Sequence, residues 1–451
     1  MQRIVRRLRK QTTRPAMEPP EALFASRGNA RHRIARRTAA KRVRSFQMRT
    51  ILLLVALLCA VSPAHSSDDV ILAPGAPWKR HTIDNTSRGA DGVKLGDLNR
   101  DGLPDLVTAW EEGGVVRAYL NPGPARAREP WPQVSIGEVK DGEDAIFADL
   151  DGDGRLEVIS GTEGRTRTLF RHRFTGAEGE LLQRERWQTE AFPVTTNAQM
   201  WMQAVPLDVD GRHGIDLVVA SKNTSAAIGW LQSPAHPNDL AAWSYHRLRA
   251  AGWLMSLSPH DADRDGDLDL IFTDRKGARS GVFWLENPGT QRNQKHAEWP
   301  EHLIGAAGRE VMFADVGDLN GDGRPDVVAA AKPVDVFLWL RQADGAWEER
   351  ALHLDGTSLG DAKAVKIADV NGDGLPDLLF TCENAKHERE GIVWLEQTRG
   401  GPWQQHTLGG PEGVKYDLMQ TLDLDGDGDL DVITCEERDQ LGVIWYENPS
   451  R

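Results

Sequence analysis

The sequence predicts an all-β fold, a seven-bladed β-propeller whose four-stranded antiparallel blades are closed into a ring by the N-terminal strand. An acidic nine-residue loop occurs seven times, and successive loops start 51 to 59 residues apart. A repeat of that period without helical segments between its copies indicates propeller blades rather than separate domains. The chain also has a strand before the first repeat and lacks one after the last, which favours a closed ring.

Each predicted blade has the same order of elements. A strand led by Trp precedes an apolar strand, the acidic loop, a second apolar strand, and a strand that carries an aromatic residue. The strands after the loops, such as 217–220 and 327–330, are continuous apolar runs, which is typical of strands buried on both faces. The first Trp-led strand, at 78–83, has no blade before it, so we expect it to complete the last blade, which ends at 445–449.

Six of the acidic loops carry the oxygen donors of a calcium site. Carboxylates or amides stand at positions 1, 3 and 5, Gly stands at position 6, and a carboxylate stands at position 9. Hard oxygen donors around a sharp turn suit Ca²⁺, and a closed oxygen cage favours bracing over catalysis. The sequence therefore predicts up to six Ca²⁺ ions, with these ligands: Asp97, Asn99, Asp101, Asp105, Asp149, Asp151, Asp153, Glu157, Asp261, Asp263, Asp265, Asp269, Asp318, Asn320, Asp322, Asp326, Asp369, Asn371, Asp373, Asp377, Asp423, Asp425, Asp427 and Asp431.

The third loop, which begins at Asp208, departs from this pattern. Arg212 occupies position 5, and a guanidinium does not bind a cation. We therefore expect Arg212 to bridge Asp208 and Asp216 in place of an ion.

The loops, with their pattern apolar–Asp–x–Asp/Asn–Gly–Asp–Gly–x–x–Asp–apolar, resemble the FG-GAP and VCBS repeats of integrin α-chain propellers and secreted bacterial proteins. The resemblance covers residues 78–449. It implies a propeller with Ca²⁺ loops on one face and ligand binding on the other. It does not specify an activity, because such repeats occur in adhesion modules, lectins and lyase domains.

The N-terminal region predicts export. Residues 1–49 hold fifteen basic and two acidic residues, and the whole chain carries −13, so the remainder carries −26. An acidic body of this kind repels nucleic acid. An apolar run at 51–61 followed by small residues is typical of a signal peptide and is too short for a membrane span. We interpret 1–47 as a mis-assigned extension or, alternatively, an organelle presequence, 48–65 as the signal peptide, and 66–451 as a secreted or periplasmic propeller.

The face opposite the loops carries charges that the sequence groups by sign. Six residues beyond the last acid of each loop, blades 3, 4 and 5 have Lys222, Arg275 and Lys332, whereas the other four blades have Glu. Solvated strand ends alone would also carry charge. Random surface charge would nevertheless interleave the two signs, so the grouping favours a cationic half of this face.

Three of the fifteen Trp residues, Trp110, Trp201 and Trp253, lie outside the repeat positions and map to the same face. An indole beside a cation suits a sugar that carries a carboxylate or sulfate, whereas the alternative is that these side chains fill the core. The candidate ligand-binding residues are Trp110, Trp201, Lys222, Trp253, Arg275, Glu310, Lys332, Lys363 and Tyr416.

The leading hypothesis is a monomeric calcium-binding propeller that binds an acidic glycan. One alternative is a polysaccharide lyase in which a base such as Lys363 or Tyr416 removes a proton. The other is an adhesion propeller with an extracellular protein partner. The pattern identifies no catalytic residue, and the four His of the Trp-led strands recur by position, which indicates a structural role. Cys382 and Cys435 are either an inter-repeat disulfide or two buried thiols.

Overall fold

The computed structural model describes residues 66–73 and 75–449, which form seven β-sheets, each one blade of a propeller. The predicted basic extension at 1–47 and signal peptide at 48–65 lie outside the described residues. Three strands precede the first blade: β1 (Ser66–Asp68), β2 (Val70–Leu72) and β3 (Lys79–Asp84).

In blades 1 to 6 the four strands follow one another in the chain from the innermost to the outermost. Blade 1 contains β4 (Ala90–Gly96), β5 (Asp105–Trp110), β6 (Val115–Tyr119) and β7 (Gln133–Gly137). Blade 2 contains β8 (Gly142–Ala148), β9 (Glu157–Thr162), β10 (Phe170–Phe174) and β11 (Trp187–Ala191). Blade 3 contains β12 (Met200–Leu207), β13 (Asp216–Lys222), β14 (Ala227–Gln232) and β15 (Ser244–Ala250). Blade 4 contains β16 (Leu254–His260), β17 (Asp269–Asp274), β18 (Gly281–Leu285) and β19 (Glu301–Gly305).

The remaining blades continue this order. Blade 5 contains β20 (Val311–Gly317), β21 (Asp326–Ala331), β22 (Asp335–Arg341) and β23 (Trp347–His353). Blade 6 contains β24 (Asp361–Ala368), β25 (Asp377–Glu383), β26 (Ile392–Glu396) and β27 (Trp403–Thr407). Blade 7 contains β28 (Tyr416–Leu422), β29 (Asp431–Glu436) and β30 (Gly442–Glu447), and its fourth strand is β3.

Closure of the ring by the N-terminal strand is confirmed. Strand β3 pairs antiparallel with β30, so that Lys79 lies opposite Glu447 and His81 opposite Trp445. The first and last parts of the described chain thus share one sheet. A ring of blades closed in this way leaves no terminal blade that needs a cap.

Strands β1 and β2 extend two blades in a way that the sequence did not predict. Strand β1 pairs in parallel with β23, and β2 pairs in parallel with β27, at the outer edges of blades 5 and 6. Each is three residues long, too short to show a strand pattern. They cover outer edges whose backbone groups would otherwise be unpaired.

The second strand of each blade is buried on both faces, as its apolar sequence predicts. Every residue of β5, β9 and β13 is buried, for example. Cys382 and Cys435 lie in two such strands or at their ends and are free buried thiols, so the disulfide alternative is wrong. The described residues contain one α-helix, α1 (Thr290–Asn293), and none of their helices has the length and apolar character of a membrane span.

All seven innermost strands contain a β-bulge near the end that lies away from the acidic loop. In blade 3, for example, Trp201 lies opposite Ser221 and Gln203 opposite Ala220, so that Met202 is an extra residue. A bulge turns its extra residue out of the regular alternation and re-aims the side chain. The bulges therefore set which side chains reach the mouth of the propeller axis.

Candidate functional site

The acidic loops join the first and second strands of every blade and are closed by their own side chains. In the first loop, Asp97 Oδ2 accepts a hydrogen bond from the Gly102 backbone at 3.1 Å, and Asp101 Oδ1 accepts one from Leu103 at 2.8 Å. The bond from position 6 to position 1 recurs in the loops at Asp149, Asp261, Asp318, Asp369 and Asp423. Side-chain-to-backbone bonds of this kind hold a turn without an ion.

Three of the complete loops bring carboxylates together. The groups Asp149/Asp151/Glu157, Asp261/Asp263/Asp265 and Asp423/Asp425/Asp431 each place one oxygen per residue within 4.8 Å of the others. Asp149 Oδ1 and Asp261 Oδ1 are buried and have no hydrogen-bond partner. Buried oxygens without a partner are rare in folded proteins, and convergent hard oxygens fit Ca²⁺. These loops therefore fit the predicted ion.

The acid at position 9 has a structural task that sequence reasoning did not assign to it. In the fourth loop, Asp269 Oδ2 accepts from the backbone of Ala262 at 2.9 Å, and its Oδ1 accepts from Asn287 at 2.7 Å. The first bond recurs in all seven loops, and the second recurs in six of the blades. Position 9 thus ties the loop to the third strand of its blade. Burial raises the pKa of Asp269 to about 6.

The third loop contradicts one expectation. Arg212 does not bridge Asp208 and Asp216, because its guanidinium leaves the loop and donates to Gln294 Oε1 at 3.0 Å, just beyond α1. The oxygens of Asp208, Asp210 and Asp216 still lie within 4.8 Å of one another. Asp216 keeps both of its backbone bonds, which explains why an acid stands at position 9 in a loop with an altered position 5.

The repeated His residues are structural, as their recurrence indicates. His302 stacks on Trp284 with ring centroids 4.3 Å apart, and its Nε2 lies 2.8 Å from Glu286. His406 repeats the arrangement with Trp394 and Glu396, and His81 repeats it across the closing strand with Trp445 and Glu447. Each His therefore joins the outermost strand to the third strand of its blade.

The predicted cationic half is not an open positive surface. Lys222 pairs with Glu143 and Glu163 of blade 2, Arg275 Nε donates to Glu310 Oε1 of blade 5 at 2.8 Å, and Lys332 pairs with Glu383 of blade 6. Each cation thus binds an acid of the neighbouring blade. Sequence spacing placed these side chains on one face but did not show that they neutralise one another.

Of the three Trp residues outside the repeat, two are core residues. Trp110 and Trp201 are each 1% exposed, and Trp110 Nε1 donates to Tyr119 at 2.9 Å. The expectation that they lie open on the ligand face is therefore wrong. Trp253 is only partly buried, and its ring centroid lies 4.9 Å from Lys222 Nζ, 5.0 Å from the Arg275 guanidinium and 4.8 Å from Lys276 Nζ. The predicted pairing of an indole with cations exists there.

The side chains offered as bases for a lyase reaction are engaged elsewhere. Tyr416 is fully buried, donates to the Glu412 carbonyl at 2.8 Å, and has its pKa raised by burial. Lys363 Nζ lies 2.9 Å from Asp417 Oδ2. Burial alone would lower the pKa of Lys363, but the carboxylates around it, led by Asp417, outweigh burial and raise the pKa. Neither group is a free base near neutral pH.

The sequence interpretation named Lys363 but missed the ring of side chains to which it belongs, at the mouth of the axis. This ring consists of the residues six positions before each acidic loop: Asp91, Glu143, Met202, Met255, Met312, Lys363 and Asp417. All seven lie next to or within the bulges of the innermost strands. We call this set the axial ring. Its members from blades 3, 4 and 5 are buried Met, whereas those from blades 6, 7, 1 and 2 are charged.

Comparison with known proteins agrees with this architecture. A family model described as an FG-GAP-like repeat matches residues 97–160, 261–329 and 318–380, which confirms the resemblance of the loops. A "T-cell immunomodulatory protein homolog" of Plasmodium yoelii yoelii is 24% identical over 222 residues, 42% of this chain and 32% of that protein. The homologue of Plasmodium falciparum (isolate 3D7) is 26% identical over 222 residues, 41% of this chain and 30% of that protein. The match thus spans about a third of each relative.

Among solved structures, the crystal structure of BBS1N in complex with ARL6DN, soaked with mercury, has a TM-score of 0.50 and 10% sequence identity. The alignment covers 84% of this chain and 99% of that one. At this identity the similarity concerns the fold.

Proposed function

Because the chain carries FG-GAP-like repeats in a closed seven-bladed ring, we propose that it is an exported interaction propeller whose loops are braced by Ca²⁺. The observation that carries the calcium proposal is the pair of buried oxygens, Asp149 Oδ1 and Asp261 Oδ1, which have no hydrogen-bond partner inside carboxylate clusters. An ion there would satisfy an oxygen that the protein itself leaves unsatisfied. Because Lys363 and Tyr416 are engaged, we propose binding rather than catalysis.

Calcium should stabilise the fold. An ion that binds the folded state at about 100 times its Kd adds about 2.7 kcal/mol per site. We expect CaCl2 to raise the thermal midpoint of the purified chain and EDTA to lower it. The thermal midpoint of the double variant Asp261→Asn/Asp263→Asn should change less between CaCl2 and EDTA than that of wild type. The same measurement on Asp208→Asn tests whether the third loop contributes to the calcium response. A midpoint that is the same in CaCl2 and in EDTA would contradict the proposal.

The partner surface lies on the face opposite the loops, at the corner formed by Trp253, Arg275, Lys276 and Glu310. Glu310 sits between Arg275 and Lys276, with its Oε1 2.7 Å from Arg275 Nη2 and 3.8 Å from Lys276 Nζ, and its side chain is 40% exposed. An incoming anionic group would replace this internal carboxylate. The relatives' description as homologues of an immunomodulatory protein favours a protein partner, and the cations around Trp253 favour an acidic segment of that partner.

An acidic glycan is the second candidate, and the indole of Trp253 favours it, since sugar C–H groups stack on aromatic rings. Glu310→Gln removes the competing charge at constant volume and should raise the affinity for an anionic ligand, whereas Arg275→Ala should lower it. Titration with a uronic oligosaccharide and with a glutamate-rich peptide separates the two partners. Equal binding by wild type, Glu310→Gln and Arg275→Ala would show that this corner is not the site.

A further inference from the structure

The seam between the last and the first blade brings three carboxylates together on the face opposite the loops. Asp91 belongs to β4 of blade 1, whereas Asp417 and Glu437 belong to blade 7, and one oxygen of each lies within 4.8 Å of the others. Carboxylates this close together repel each other unless a proton or a cation lies between them.

The basic residues nearby do not complete this cluster. Lys363 binds Asp417 Oδ2, and Lys415 binds Glu437 Oε2. Among the described residues, no basic side chain forms an ion pair with Asp91. Both nearby ammonium groups are therefore engaged by Asp417 and Glu437, and Asp91 is left without an ion-pair partner.

A second and independent observation indicates a missing partner. The Glu437 side chain is 2% exposed, and its Oε1 is buried without a hydrogen-bond partner. Asp144 of the adjacent blade 2 is also buried, and its Oδ2 likewise has no partner. Buried charged oxygens are rarely left unsatisfied in folded proteins, so these oxygens are expected to face a ligand.

The backbone beside the cluster turns at a glycine. Gly92, in the bulge next to Asp91, has φ +69°, and a Cβ built on it would meet Asp144 Oδ1 at 3.7 Å and Leu418 Cδ1 at 4.0 Å. A glycine adopts this positive φ without strain. Three carboxylates, one of which has a buried oxygen without a hydrogen-bond partner, form the donor set of a divalent ion such as Ca²⁺ or Mn²⁺.

We propose that Asp91, Asp417 and Glu437 bind a divalent cation that links blade 1 to blade 7 on the face opposite the acidic loops. The ion adds a cross-link between blade 1 and blade 7, the blade that the N-terminal strand β3 completes. This site is separate from the loop sites, and the proposal does not depend on whether the loops bind ions.

Counting bound ions tests the proposal. The full chain is stripped with EDTA, and bound Mn²⁺ is counted by titration calorimetry and by the loss of free-ion electron paramagnetic resonance signal. Asp91→Asn should bind one equivalent fewer than wild type. Asp423→Asn, a matched change in the acidic loop of blade 7, should also bind one fewer, and the double variant should bind two fewer.

The outcomes separate this site from the loops. If the wild-type chain binds one Mn²⁺ ion, and that ion is lost in Asp91→Asn but retained in Asp423→Asn, the result supports the seam site and contradicts the loop sites. An unchanged count in Asp91→Asn overturns the proposal and leaves a shared proton between the carboxylates. If Asp91→Asn fails to fold by circular dichroism, Glu437→Gln takes its place, with the same loss of one equivalent expected.

Discussion

The acid at position 9 of each loop should stabilise the fold even without calcium, and Asp269→Ala tests this. The change leaves the backbone N–H groups of Ala262 and Asn287 without their acceptor, and both bonds are buried. Each buried donor left unsatisfied costs about 1–3 kcal/mol. Burial raises the pKa of Asp269 because it destabilises the ionised carboxylate, so removing this carboxylate offsets part of the loss in stability. We expect a net loss of about 2–4 kcal/mol in the free energy of unfolding.

The matched control is Asp263→Ala in the same loop. Asp263 is exposed, and its Oδ1 accepts one surface hydrogen bond, from Asp265 at 3.1 Å. In EDTA this variant should lose less than about 0.5 kcal/mol. In excess CaCl2 it should lose the stabilisation that an ion in this loop contributes.

The assay is urea unfolding followed by tryptophan fluorescence, in EDTA and again in CaCl2, with the dependence on denaturant fitted for each variant. A change of midpoint at constant slope reports stability. If Asp269→Ala and Asp263→Ala are equally stable in EDTA, the acid at position 9 acts through an ion alone, and the structural role assigned to it is wrong.

Three further changes test the closure, the packing and the added strands. Arg128 and His81 lower the pKa of Glu447 to about 2, so the stability that the ionised Glu447 contributes is present above about pH 4.3 and is lost as pH falls toward 2. Measured by urea midpoints, Glu447→Gln should therefore cost about 1 kcal/mol at pH 7 and nothing near pH 2. Gly305→Ala would place a Cβ 1.9 Å from Trp339 Nε1 and should cost about 2–4 kcal/mol of stability, whereas Gly75→Ala, with nothing within 4 Å of its Cβ, should cost little. Equal urea midpoints for the two variants would contradict the close contact between Gly305 and Trp339. Deleting 66–72 should uncover the edges of β23 and β27 and increase aggregation measured by light scattering, and an unchanged monomer fraction would show that these edges need no cover.

The repeat determined the blade count, the closing strand and the position of the loops, because these follow from local spacing. The state of individual side chains did not follow, since it depends on partners far away in the chain. Lys222 is neutralised by Glu143, 79 residues earlier. Trp201 is buried because Gly161 of the preceding blade leaves room for it, with a built Cβ only 3.1 Å from the Trp201 carbonyl. Neither contact has a signature in the local sequence.

The seam between blades 7 and 1 shows how the two faces of the ring differ. On the loop face, Arg128 of blade 1 binds Asp425 and Glu447 of blade 7, with Nη2 2.5 Å from Asp425 Oδ2 and 3.0 Å from Glu447 Oε1. On the opposite face, blade 1 presents Asp91, a third acid, to Asp417 and Glu437. Arg438 of blade 7 also pairs with Glu112 of blade 1 on that face, at 3.1 Å, but none of the described basic side chains forms an ion pair with Asp91. A bound cation at Asp91 would add a second link between the two blades on this face.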